Sequence, residues 1–209
     1  MSAAVRKPWP MRWIVASILL FIVPYTYVNL KFRKPNKAFE PYADMKAQAN
    51  VKRLLDAGYT RVAIRAERPH PPLSARQLLP EAGLLAVVES APGGLPPPLD
   101  TTLVEAPRLP AGYADLLAPA ELAATAAARL QFTAHIESDR EQLAGADVYV
   151  RDDTIVIAPT FEPVPGDLQS RARADVVLLT LPAGVLAPGA HTVTLAGARD
   201  SLRWTMMVR

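Results

Sequence analysis

The chain has 209 residues, of which half are hydrophobic, with 23 Lys or Arg, 20 Asp or Glu and no cysteine. The lack of cysteine excludes disulfides, thiolate metal sites and a cysteine nucleophile. The basic excess lies in residues 1–40, which hold seven Lys or Arg and one acid, whereas residues 41–209 hold sixteen basic and nineteen acidic residues. Because the larger part of the chain is slightly acidic, the composition excludes a strongly basic domain, and we expect no nucleic-acid partner.

Residues 13–30 form an uncharged, apolar run that predicts a transmembrane anchor, preceded by a basic tail at residues 1–12. Eighteen helical residues reach about 27 Å, close to the roughly 30 Å hydrocarbon core of a bilayer. Aromatic rings near both ends suit the headgroup level, and basic residues begin directly outside them. The anchor residues are Trp13, Phe21, Pro24, Tyr25 and Tyr27, and those expected to contact lipid headgroups are Lys31, Arg33, Lys34 and Lys37.

Two alternatives to a retained anchor are an amphipathic core helix and a cleavable signal peptide. The aromatic and basic flanks disfavour the first. The second lacks small residues at a cleavage site after the apolar run. The basic residues on the two sides are nearly balanced, but a long domain after an N-terminal apolar segment is commonly exported. We therefore expect a single-pass protein of the inner (plasma) membrane with its C-terminal domain outside the cytoplasm; the opposite topology would place that domain in the cytoplasm.

Residues 31–58 are predicted to form a basic juxtamembrane segment followed by a short helical neck. Apolar residues recur at helical spacing over residues 39–57, Pro41 suits the helix start, and Gly58 ends the pattern. Residues 61–67 then alternate apolar and polar side chains, which predicts a strand with one buried face.

Residues 69–119 contain eleven of the 21 prolines. Proline lacks the backbone donor of a sheet ladder, so this region is predicted to be an extended wrap around the domain, with short edge strands at residues 84–89 and 101–105. A polyproline ligand for a groove is the functional alternative, but no PxxP repeat with flanking basic residues supports it. Residues 119–128 are predicted to form a short alanine-rich helix.

Strand patterns are dense after residue 130. They lie at residues 131–137, on both sides of a hairpin turn at residues 151–153, at residues 176–181 and 193–195, and at residues 202–208. Short strands separated by turns predict a mainly β fold in which residues 59–209 form an antiparallel, immunoglobulin-like β-sandwich. A small closed barrel is the alternative, since neither a cysteine pair nor a tyrosine corner supports the immunoglobulin topology.

The chemistry-bearing residues match no catalytic or cofactor motif, and we expect no cofactor and no enzymatic activity. His135 and Glu137 share one strand face and, with His191, are weak candidate metal ligands; a solvated sheet face explains the first two equally well. Met206 and Met207 point to opposite faces of a strand, so Met206 is predicted to be core rather than a copper ligand. The paired acids Asp152 and Asp153 fit a hairpin tip.

These patterns predict a membrane-anchored, non-catalytic module that serves as an accessory, assembly or structural subunit of an envelope complex. Its expected partners are the lipid bilayer and other membrane or envelope proteins. The alternative function is a metal-binding carrier or enzyme that uses His135, Glu137 and His191.

Overall fold

The computed structural model of the chain describes residues 10–32, 42–79, 84–138, 140–164 and 174–209. The chain falls into two compact units, divided between Met45 and Lys46. The helices in the described residues are α1 (Met11–Lys31), α2 (Tyr42–Asp56), α3 (Ala75–Leu78) and α4 (Pro97–Asp100). The first helix covers the whole predicted anchor. The second lies within the residues where the sequence predicts a helix, while residues 39–41 lie outside the described part.

The second unit is dominated by strands, as the sequence predicts. They are β1 (Thr60–Glu67), β2 (Glu89–Pro92), β3 (Gly112–Leu117), β4 (Glu121–Leu122), β5 (Ala128–His135), β6 (Glu141–Arg151), β7 (Thr154–Pro163), β8 (Ala174–Leu181), β9 (Gly189–Leu195) and β10 (Asp200–Val208). All ten strands belong to one sheet with the order β2-β10-β9-β7-β6-β1-β8-β5-β3, and β4 pairs with β10. The sheet is mixed, because β7 pairs with β9 in parallel and β4 with β10 in parallel.

The sheet curls so that its two ends approach each other. The backbone amides of Ala198 and Arg199, between β9 and β10, donate to the carbonyls of Pro110 and Ala111, just before β3, at 2.7 and 3.1 Å. The Tyr113 hydroxyl of β3 donates to the carbonyl of Ala196. These bonds give the sheet the form of a half-barrel.

The mainly β prediction is confirmed, but the immunoglobulin-like antiparallel sandwich is not. A sandwich has two separate antiparallel sheets packed face to face, whereas these strands follow one continuous path with two parallel pairs. β1 joins the two halves of that path, pairing with β6 on one side and with β8 on the other.

The main hydrophobic core fills the inner face of the curled sheet. Alternation along β10 buries Trp204, Met206 and Val208 at 3%, 2% and 2% exposure, as the sequence predicts. Val177 and Leu179 of β8 are fully buried in the same cluster. Every second side chain of these strands therefore contributes to one shared core.

A second, smaller core lies on the opposite face of the β6–β7 region. It joins Leu54 of α2 with Leu99 and Leu103 around α4, and with Tyr149 of β6 and Val156 of β7. Two further contacts hold α2 to residues after α4: Lys46 pairs with Glu105 at 2.8 Å, and the backbone amide of Val104 donates to the Asn50 side chain at 2.7 Å. Helix α2 and the α4 segment thus cover part of the outer face of the sheet.

Three local predictions in the proline-rich region and after it are wrong. The predicted strand at residues 101–105 is a turn that follows α4, where the hydroxyls of Thr101 and Thr102 bond to proline carbonyls. The predicted edge strand at residues 84–89 makes only a single bridge, at Leu85, and β2 begins at Glu89. The predicted helix at residues 119–128 is instead β4 followed by a turn, because β10 supplies a pairing edge for it.

Candidate interaction surface

The α1 helix is long and apolar enough to cross a membrane, and none of its residues is buried in the structure. The predicted anchor residues Trp13, Phe21, Pro24, Tyr25 and Tyr27 are all exposed on it. Its internal amide, Asn29, donates from Nδ2 to the carbonyl of Tyr25 at 2.9 Å. This bond within the helix reduces the cost of placing the amide in hydrocarbon.

Of the predicted headgroup residues, the structure describes Lys31 alone. It is the last residue of α1, and its Nζ lies 5.7 Å from the centre of the Tyr27 ring. An ammonium over an aromatic ring at the end of an apolar helix is an arrangement that suits the membrane interface. Arg33, Lys34 and Lys37 lie outside the described residues.

The three weak candidate metal ligands have different surroundings. His191 is 2% exposed on the inner face of β9, where its Nε2 lies 2.7 Å from the carbonyl oxygen of Ala187 and donates to it. His135 is exposed at the end of β5, and the Glu137 carboxylate pairs with Arg199 at 2.7 Å. Among the described residues, no three or more His, Cys, Asp or Glu side chains form a group suited to a metal ion.

The remaining sequence candidates have structural roles. Met206 is buried in the main core, whereas Met207 is 39% exposed on the other face of β10. Asp152 and Asp153 form the β6–β7 hairpin tip, and Asp152 has a φ of 50°, a conformation that aspartate tolerates better than most residues.

A groove between α2 and β1 lies on the surface of the second unit. Its cavity of about 410 Å³ is lined by Val51, Leu54, Leu55, Tyr59, Thr60, Arg61 and Ala63, and we call it the α2–β1 groove. A second cavity of about 410 Å³ adjoins it along α2 and shares Val51 and Leu55. Leu54 is buried in the second core, but Val51 and Leu55 are 45% and 65% exposed. The helix therefore has an apolar stripe, one turn long, that no described residue covers.

β1 borders this groove with an open backbone edge. On one side, β6 pairs with β1 from Thr60 to Arg65; on the other side, β8 pairs only with Ala66 and Glu67. In the part of the chain that the structure describes, residues 60–65 make no further backbone–backbone hydrogen bond. Because alternate residues of an antiparallel strand point their N–H and C=O groups away from the partner, this edge has unpaired donors and acceptors. We call the side of residues 60–65 that faces away from β6 the open edge.

The outer face of β1 beside the groove is basic. The Arg61 guanidinium pairs with Asp147 of β6 at 2.9 Å, and the carboxylate raises the pKa of that guanidinium, chiefly through the hydrogen bond between them. Arg65 is exposed on the same face and makes no ion pair with a described residue. Lys52 and Asp56 of α2 line the adjoining cavity. The surface thus combines a backbone edge, an apolar stripe and positive charge.

A second groove, of about 780 Å³, lies beside β10. Its apolar wall consists of Leu84, Leu85 and Val87, exposed at 68%, 42% and 84%, and its other residues include Arg203 and Thr205 of β10. The strand edges here are more nearly complete, because β2 and β4 both pair with β10. We call this surface the β10 groove.

Sequence reasoning missed the α2–β1 groove, although part of its signal was present. Alternation in residues 61–67 predicts the buried face of β1, and the arginines at 61 and 65 mark its outer face. Nothing in the local sequence shows that β8 pairs with only the last two residues of β1. No protein-family model, curated protein or solved structure matches the chain.

Proposed function

We propose that this chain is a single-pass membrane protein whose β domain binds other proteins, as a non-catalytic accessory, assembly or structural module of an envelope complex. The membrane is the inner (plasma) membrane, and the β domain lies outside the cytoplasm. The observation that carries the binding role is the open edge of β1 next to the exposed side chains of Val51 and Leu55.

The membrane part of the proposal is supported by α1. The helix is apolar enough to cross a bilayer, its Trp and Tyr residues at 13, 25 and 27 lie toward its ends, and its internal amide is bonded within the helix. Hydrocarbon is the environment in which an uncovered apolar helix of this length is stable.

The binding part is supported by the surface of the β domain. Unpaired strand edges and exposed apolar side chains are features that soluble domains usually cover or charge, unless a partner occupies them. Two grooves with exposed apolar residues, the α2–β1 groove and the β10 groove, lie on this one domain. The first has the backbone edge in addition and is the stronger candidate.

Extraction of membranes with alkaline carbonate tests the anchor. We expect the full chain to stay in the membrane pellet and a variant lacking residues 13–30 to be released. A matched variant lacking an equal length of the proline-rich region, which leaves α1 intact, should stay in the pellet. Release of the full chain, or a mature form that begins after Leu30, would refute the membrane proposal.

Reporter fusions placed after Arg209 test the orientation. An alkaline phosphatase fusion should be active, because that enzyme folds outside the cytoplasm, and a green fluorescent protein fusion should be dark after export. The reverse result would place the β domain in the cytoplasm and would leave the anchor intact.

Purification from mild detergent tests the binding role. We expect defined partner proteins to accompany the full chain in fixed stoichiometry and to be lost from the double variant Val51→Ser with Leu55→Ser. The matched control is Leu85→Ser with Val87→Ser in the β10 groove, which has the same kind of exposed apolar side chains. Loss of the partners from the control variant alone would move the binding surface to the β10 groove. The absence of any partner from the unaltered full chain would refute the binding role.

A further inference from the structure

We propose that the open edge of β1 accepts an extended, acidic segment of a partner protein as an added strand. This inference rests on the proposed binding role and names the chemistry of the partner. The added strand would pair with residues 60–65, place carboxylates opposite Arg61 and Arg65, and direct an apolar side chain into the α2–β1 groove.

The backbone of β1 requires an extended partner. β6 occupies one edge of residues 60–65, and β8 leaves the other edge before it reaches them. An incoming strand can satisfy the outward N–H and C=O groups in the same way that β8 satisfies those of Ala66 and Glu67. Strand addition at an exposed sheet edge is a recurring mode of peptide recognition, with main-chain bonds for affinity and side-chain pockets for specificity.

The groove specifies an apolar side chain at the middle of the added strand. Ala63 is exposed on the outer face of β1, and it lines the same cavity as Val51 and Leu55. A residue paired with Ala63 would point to this face, since paired residues share a face. Leucine at this position would remove apolar surface of Leu55 from water.

The charges on both sides of Ala63 specify acids. Arg61 and Arg65 lie two residues before and after it, on the same outer face. Opposite charges on directly paired residues stabilise a strand pair, and like charges destabilise it. Arg61 already pairs with Asp147, so Arg65 has more capacity for a new carboxylate.

The same arginines disfavour a second copy of this chain as the occupant. A two-fold pairing of β1 with β1 that uses residues 61–65 and keeps the buried faces together is centred on Ala63. It places Arg61 of each copy opposite Arg65 of the other, which sets like charges directly against each other. A register centred on Ile64 would need Ala66 and Glu67, whose edge β8 already occupies.

The probe is a labelled synthetic peptide with the core Glu-Val-Leu-Val-Glu between serines, titrated against the full chain in uncharged detergent. The core is palindromic, so it matches β1 in either strand direction. We expect saturable binding and slower hydrogen exchange of the amides in residues 60–65. A Lys-Val-Leu-Val-Lys peptide should bind at least about tenfold more weakly. A Glu peptide N-methylated on alternate amides should also lose about tenfold or more.

Variants of the protein locate the contact. Arg65→Glu should weaken the Glu peptide about threefold to tenfold and strengthen the Lys peptide, since the charge pairing is reversed. Arg203→Glu, an exposed arginine on β10, is the matched control and should change neither affinity. Leu55→Ser should weaken both peptides alike, because it removes an apolar contact without a change in charge.

Several results would overturn this inference. The N-methylated peptide could bind as tightly as its parent, which would show attraction by charge without strand pairing. Protection could appear at residues 84–89 instead, which would place the peptide in the β10 groove. Protection of residues 60–65 without peptide, lost on dilution, would identify a second copy as the occupant. None of these results bears on retention by membranes, so the anchor in the proposed function is judged separately by the carbonate extraction.

Discussion

Arg61 on β1 and Asp147 on β6 form an ion pair on the outer face of the sheet, with Nη2 2.9 Å from Oδ2. Asp147 is 7% exposed, and the Tyr149 hydroxyl lies 3.5 Å from the same carboxylate oxygen. A nearly buried carboxylate with one close cation depends on that cation. The pair therefore fastens β1 to β6 next to the open edge.

Loss of the cation should destabilise the β domain. We expect Arg61→Ala to lower the free energy of unfolding by about 2 kcal/mol, because Asp147 would stay buried without its counter-charge, while the guanidinium is itself partly exposed. Arg65→Ala is the matched control on the same strand face and should change it by less than about 0.5 kcal/mol. Chemical denaturation of the full chain in detergent measures both, and equal effects would contradict a structural role for the pair.

The buried Tyr149 should make the free energy of unfolding of the β domain fall at alkaline pH. Burial, together with the charge of Asp147, raises the pKa of its phenol to about 12 in the folded state, against about 10 in the unfolded chain. Between these values the folded protein holds the proton more tightly, so stability is full below pH 10 and falls as the pH rises toward 12. Burial raises the pKa of Tyr113 further still, so ultraviolet absorbance should show late-ionising phenols whose number falls by one in Tyr149→Phe. A stability that does not fall in this range would contradict the assignment.

Leu54 and Leu55 are neighbours on α2 with opposite environments. Leu54 is 1% exposed in the second core, and Leu55 is 65% exposed in the α2–β1 groove. We expect Leu54→Ala to cost about 2 to 4 kcal/mol of stability, because it leaves a cavity. Leu55→Ala should cost less than about 0.5 kcal/mol. Thermal unfolding distinguishes them, and a similar cost at both positions would mean that Leu55 is covered within the chain.

Gly145 of β6 pairs with Arg65 of β1 and lies against the backbone of Ile64. A Cβ at this position would collide with the carbonyl oxygen of Ile64, beside the β6–β7 bulge between Leu143 and Gly145. We expect Gly145→Ala to destabilise the domain by about 2 kcal/mol or more, because the clash is with backbone. Gly112→Ala on β3 is the control, since its Cβ would meet nothing within 4 Å. A tolerated Gly145→Ala would show that β1 and β6 can separate easily.

Metal analysis of the purified full chain tests the alternative function. His191 donates to a carbonyl inside the sheet, and Glu137 pairs with Arg199, so each is engaged elsewhere. We expect less than stoichiometric metal, with no change in His135→Ala. Stoichiometric metal that is lost in this variant would favour the carrier or enzyme instead.

The strands after residue 130 were readable from the sequence because their patterns are local. Alternation predicts the buried face of β10. The apolar run in residues 176–181 predicts a strand covered on both faces, and in β8 the consecutive residues Val177, Leu178 and Leu179 are all buried. The hairpin at Asp152 is also correct, since turn residues separate two β-branched runs.

The errors lie where pairing comes from distant parts of the chain. The alanine-rich residues 119–128 have helical propensity, yet β10 offers a strand edge whose paired residues lie 86 positions later, and pairing overrides propensity. The chain between the parallel partners β7 and β9 passes through β8, which lies three places from β7 in the sheet order, and no local pattern reveals this crossover. The open edge of β1 cannot be predicted from the local sequence for the same reason, because it depends on where the pairing of β1 with β8 ends.

β10 pairs with β2, β9 and β4, and so connects two early strands to a late one. The ladders of β2 and β4 therefore stay incomplete until residues 200–208 have been synthesised. Such long-range closure slows folding. While the chain is being synthesised from its N-terminus, the sheet therefore stays unfinished until the last strand emerges. A truncation just before β10 should leave a species prone to proteolysis.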